Sequence, residues 1–99
     1  MYARVSTFEG VAAHIDEEVR VAREEFIPLA KELGGFEGMY ILVNRESGRS
    51  LSVALWSSKE AMQASEEQAD RTRQEAAHDA GGRVTKVERY EVVLSPEQA

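Results

Sequence analysis

Cysteine is absent from this chain of 99 residues. Disulfides, thiolate metal sites and cysteine nucleophiles are thereby excluded, and the fold must hold by packing alone. Blocks of lysine or arginine are absent too. Twelve basic residues stand against eighteen acidic ones, a net charge of −6 that disfavours a nucleic-acid partner. Arg20, Arg23, Arg71 and Arg73 lie among acids at helical spacing and read as solvated faces with weak ion pairs. No apolar run approaches the roughly 18 residues that span a bilayer. Met1-Tyr2-Ala3-Arg4-Val5 lacks the pattern of a signal peptide, so no membrane partner and a cytoplasmic location are expected. No glycine-rich phosphate loop occurs, and the two histidines, His14 and His78, are far apart in the chain. Neither a metal nor a bound cofactor is expected.

What is present is a balance of apolar and charged residues suited to one globular domain spanning 1–99, with a short tail over 95–99. Residues 2–8 alternate as a strand, with Tyr2, Arg4 and Ser6 on one side and Ala3 and Val5 on the other. Val11, Ile15, Val19, Ala22, Phe26, Leu29 and Leu33 step by three or four and predict one helix, kinked near Pro28 and stopped by Gly34-Gly35. Strands are predicted over 36–43 and 49–56, joined by a polar hairpin loop that begins at Asn44. Ser57 and Glu60 have the spacing of a capping box, with Trp56 and Ala61 as its hydrophobic staple. The helix they open is expected to reach about Ala80, along a stripe of Met62, Ser65, Ala69, Thr72 and Ala76. Gly81-Gly82 ends it, and a last strand is expected over 83–94.

The order βαββαβ is that of a ferredoxin-like α+β domain: a four-stranded antiparallel sheet with two helices on one face. Apolar residues at Val87, Val93 and Leu94 cannot all meet the helices, so the other face calls for a second subunit. A homodimer is expected.

Gly35-Phe36-Glu37-Gly38-Met39-Tyr40-Ile41-Leu42-Val43-Asn44, then the hairpin, then Ala54-Leu55-Trp56-Ser57-Ser58-Lys59-Glu60-Ala61-Met62-Gln63-Ala64, resembles the antibiotic biosynthesis monooxygenase family of dimeric α+β barrel proteins. The match covers the whole element order; its residue-level core is Gly35-Phe36 and the segment from Trp56 to Ala61. These residues encode turns and caps and therefore specify fold more than activity. The resemblance implies a dimer whose sheets pack face to face, with a small pocket between each sheet and its own helices. It implies either oxidation of an aromatic or quinone-like substrate without metal or flavin, or a non-catalytic binding or scaffold module on the same fold. Members that degrade haem carry a histidine ligand about ten residues beyond the tryptophan. Here that neighbourhood reads Ser65, Glu66 and Glu67, which counts against haem degradation.

Candidate site residues follow. Trp56 suits stacking on a planar substrate and equally a core position. His14, at the edge of the first helix's stripe, suits a general base acting on a phenol, or an ordinary boundary histidine. Tyr40, Asn44 and Arg4, with Tyr2 and Ser6, are polar groups that strand alternation can turn inward to orient a quinone or phenol. Each is also a common strand or turn residue.

Overall fold

A computed structural model describes residues 1–79 and 81–98. Strand β1 (Tyr2–Glu9) leads through a 3-10 turn (Ala12–His14) into α1 (Ile15–Val21), a π-helical turn (Ala22–Phe26) and α2 (Ile27–Glu32). The hairpin β2 (Phe36–Val43) and β3 (Arg49–Trp56) follows, then α3 (Lys59–Ala64), α4 (Glu66–Asp79) and β4 (Arg83–Glu91). The sheet has the order β2-β3-β1-β4 and every neighbouring pair is antiparallel. This is the expected βαββαβ arrangement, with the helices on one face.

The helical run after β1 is broken ahead of its proline. Pro28 has no N–H to give and its ring crowds the carbonyl of Glu24, four residues back. The chain responds by widening into a π turn in which the Ile27 N–H bonds to the Ala22 carbonyl, five residues earlier. The inserted residue rotates the stripe beyond it, so Ala30 is buried in place of Leu29 and Leu33, which face outward; ahead of it Ile15 and Val21 are buried, with Phe26 in the turn itself, and Val11 lies exposed before the helix.

Three other expectations shift. Ser58 caps α3, accepting from the Ala61 N–H at 3.1 Å, one residue later than the Ser57 box. The second helix is two, interrupted at Ser65, and Ala80 and the side chain of Ala76 fall outside the described residues. β4 ends at Glu91, leaving Val93 and Leu94 exposed beyond it. The two-faced last strand is therefore not what leaves the sheet uncovered.

The middle strands supply that reason instead. Opposed residues share a face, so Tyr2, Arg4, Ser6 and Phe8 of β1 lie beside Trp56, Ala54, Ser52 and Ser50 of β3, beneath the helices. The face turned away carries Ala3, Val5 and Thr7 beside Leu55, Val53 and Leu51. Two strands thus bury arginine and serine under helices and turn leucine and valine outward. A lone domain with one covered face has the opposite polarity.

In β2 a bulge changes the parity. Phe36 opposes Trp56 and Gly38 opposes the adjacent Leu55, so Glu37 is the extra residue. Phe36 points inward, its ring 5.2 Å from that of Trp56, and Met39 joins the same core cluster. Tyr40 and Leu42 fall on the outer face with Val53 and Leu51. Gly35 has φ +76°, and a Cβ there would stand 2.5 Å from that of Ala61. That close approach explains why the Gly35-Phe36 pair and Ala61 occur together.

Candidate active site

A cavity of about 50 Å³ lies between the inner sheet face and the helices. Its walls are apolar, from Val21 and Phe26 beside the π turn and Met39, Ile41 and Ala54 on the sheet; its polar groups come from Arg4, Ser6, Glu18, Ser50, Ser52, Thr72 and Arg73. Glu18 is the one acid among the lining residues, and its Oε2 accepts from Ser50 Oγ at 2.7 Å.

Arg4 is 2% exposed and Arg73 7%. Arg4 Nη2 donates to the Met62 carbonyl at 2.8 Å and to Ser65 Oγ at 2.6 Å, at the turn between α3 and α4. Its Nε meets Glu66 Oε1 at 3.3 Å, and its guanidinium lies 5.7 Å from the centre of the Trp56 ring. Arg73 Nη2 donates to Asp70 Oδ1 at 3.3 Å. Burial pushes the pKa of each guanidinium down, with Glu66 opposing for Arg4 and Asp70 for Arg73. An arginine stays charged through such shifts, so both remain desolvated cations.

Glu66 is shared. Arg89 on β4 binds it through both oxygens, at 3.0 and 2.7 Å. The Arg89 hydrogen bond, and then the charge of Arg4, hold the Glu66 carboxyl below its ordinary value of 4.5. Stability from this cluster is complete above about pH 4.5 and is lost as pH falls through the depressed value. Urea midpoints are expected to fall more steeply below that pH in the wild type than in Glu66→Gln; parallel curves for the two proteins would contradict it.

Of the residues singled out from the sequence, Arg4 and Ser6 line the cavity. Trp56 is fully buried behind it, in the cluster of Phe26, Ala30, Ala54, Met62 and Ala69. Tyr40, 60% exposed, is turned to the outer face by the bulge. Asn44 closes the hairpin, its Oδ1 accepting from the Glu46 and Ser47 N–H groups at 3.0 and 3.1 Å. His14 is exposed at the end of the 3-10 turn, where a Cβ on Gly81 would stand 3.3 Å from its Nδ1. Neither Tyr40, Asn44 nor His14 is among the lining residues.

Arg73 and Glu18 were not singled out as site residues, and each had a signal. Arg73 lies four residues beyond Ala69 and four before Ala77, both buried, so it occupies the inward stripe rather than a solvated face. Arg20, Arg23 and Arg71 are on exposed positions as expected. Glu18 lies three residues after Ile15 and four before Ala22, on the edge of the buried stripe of α1.

The position about ten residues beyond Trp56, where the resemblance implies a histidine in haem-degrading members, carries Ser65, 1% exposed and tied to Arg4 and the Met62 carbonyl. Among the described residues no cluster of three or more His, Cys, Asp or Glu could hold a metal ion. No helix among them is long and apolar enough to cross a membrane.

The fold is shared with solved structures of antibiotic biosynthesis monooxygenases, so the resemblance read in the sequence extends to the tertiary fold. The ActVA-Orf6 monooxygenase of Streptomyces coelicolor, solved with nanaomycin D, superposes with a TM-score of 0.69 at 16% identity, covering 96% of this chain and 91% of that one. SnoaB of Streptomyces nogalater, a cofactor-independent oxygenase, gives 0.66 at 16% identity over 96% and 95%. The heme-degrader MhuD of Mycobacterium tuberculosis, solved with two hemes, gives 0.58 at 25% identity over 96% and 98%. In sequence, the chain is 34% identical over 92 residues to the uncharacterized protein Rv2557 of Mycobacterium tuberculosis, which is 93% of this chain and 41% of that protein. Against Rv2558 of the same organism it is 33% identical over 94 residues, 95% of this chain and 39% of that one. The chain thus spans about two fifths of the length of these relatives. No family model matches it.

Proposed function

We propose that this chain is a cofactor-independent monooxygenase acting on a small planar aromatic or quinone-like molecule. The observation that carries this reading is the cavity itself, walled by apolar side chains and lined also by two buried cations and one carboxylate. Dioxygen would place one atom on a ring carbon in exchange for hydrogen, and its other atom would leave as water. The conversion of a quinol to a hydroxyquinone supplies all four electrons that dioxygen takes, so no flavin or metal is required by the balance. Arg4 and Arg73 favour the ionised form of a bound phenol and lower its pKa, which brings proton transfer within reach of a carboxylate. Glu18 is the acceptor that the cavity offers.

The test is incubation with a panel of monocyclic quinols under air, following oxygen uptake and quinone absorbance. Oxygen consumption above the uncatalysed rate supports the reading. Saturable binding of those quinols with no oxygen consumption would instead make the chain a binding module.

The same reading includes a homodimer. Tyr40, Leu42 and Tyr90 are exposed, around Leu51, Val53 and Leu55, on the sheet face turned away from the described helices. The expected solution mass by light scattering is twice the 11.0 kDa of one chain. Val53→Asp places a charge at the centre of that face and is expected to shift the mass towards 11.0 kDa. A wild-type monomer at micromolar concentration would contradict the pairing.

A further inference from the structure

We infer that the cavity selects a monocyclic aromatic carrying a permanent anionic group, a carboxylate beside the ring hydroxyl, received by Arg4 and Arg73. This rests on the proposal that the cavity is the substrate site and adds the substrate's chemical class. Two polar groups support it. Arg4 Nη1 and Arg73 Nε are buried and have no hydrogen-bond partner among the described residues, although both side chains line the cavity. Buried donors of this kind are rare, and a charged one is the costliest to leave unmet.

The local charge points the same way. Glu66 divides its charge between Arg4 and Arg89, and Asp70, the partner of Arg73, is 62% exposed, so neither buried cation has a desolvated counter-ion of its own. A neutral phenol offers an acceptor but no charge, and its anion forms only during reaction. A carboxylate supplies both from the moment of binding. Its two oxygens also accept several N–H groups at once, which suits the planar donor set of a guanidinium. Polar contacts already made by Arg4 to Met62 and Ser65 hold its fork in place before any ligand arrives.

Size narrows the ring. A cavity of about 50 Å³ admits roughly three to five waters, whose combined liquid volume is about that of one aromatic ring. Glu18 and Ser50 then stand among the groups left for the hydroxyl.

The test compares 2,5-dihydroxybenzoate with hydroquinone, the same ring with and without the carboxylate, by calorimetry on the wild-type chain. The carboxylate is expected to bind about ten- to a hundred-fold more tightly, the usual worth of a charged hydrogen bond. In Arg73→Met this preference is expected to shrink to within about two-fold, and Arg73→Lys, which retains the charge, recovers part of it. The Arg73 Nε–Hε resonance of the wild type is expected to shift with the carboxylate and not with hydroquinone. Equal binding of the two ligands overturns the anion assignment and leaves the cavity as a neutral-substrate site. A preference undiminished in Arg73→Met overturns the role of Arg73. Failure of both ligands to bind overturns the substrate-site proposal itself.

Discussion

Glu18→Gln is expected to lower turnover of a quinol substrate by about 10²- to 10⁴-fold, the range over which a positioned acid or base contributes. Glutamine keeps the length and the hydrogen-bonding capacity of the side chain, including acceptance from Ser50 Oγ. It removes the ability to take a proton. If Glu18 accepts the substrate hydroxyl's proton, kcat falls while ligand affinity changes little. If Glu18 only positions Ser50, the amide substitutes for the carboxylate and the rate stays within a few-fold. His14→Gln supplies the contrast. It lies outside the cavity lining, so its replacement should leave turnover near the wild-type rate. A rate loss as large as that of Glu18→Gln would return the basic role to the histidine.

Replacing Trp56 tests the other support of the site. Trp56 has no exposed surface, stacks edge-on to Phe36 and lies under the Arg4 guanidinium. Trp56→Ala opens a cavity in the packed cluster and is expected to cost about 3–5 kcal/mol. At fixed protein concentration that corresponds to a drop in Tm of at least about 12 °C for a domain of this size. Removing the ring also withdraws the cation–π contact and packing that hold Arg4, so ligand binding should weaken even under conditions where the fold survives. A Tm change of only a few degrees would mean that Trp56 is replaceable filler and that Arg4 is held by Ser65, Met62 and Glu66 alone.

Element order was legible because it depends on local chemistry. Alternation marked β1 and β3, the glycine pairs stopped the helices, and a serine-rich segment after Trp56 opened α3. Each signal acts within a few residues, so the chain carries it without help from distant parts. The polar members of the middle strands were equally visible: Arg4, Ser6, Ser50 and Ser52 occur at strand period in the sequence. Their meaning was not, because alternation says which residues share a face and leaves open which face the helices cover.

The sequence by itself thus determined the βαββαβ order and the identity of the two residue sets on β1 and β3. Tertiary structure decided what each set does. Helices lie over the arginine and serine side, which buries Arg4 and leaves valine and leucine for another surface. One extra residue at Glu37 reversed the parity of β2 and carried Tyr40 away from the cavity. A π turn ahead of Pro28 rotated the first helical face, and the break at Ser65 set the Met62 carbonyl and the Ser65 hydroxyl against Arg4. Arg73 and Glu18 joined the site because the packing of helix on sheet sets which edge of a helical stripe is enclosed. Such choices depend on contacts such as that of Arg4 with Glu66, 62 positions apart, a separation over which periodicity carries no information.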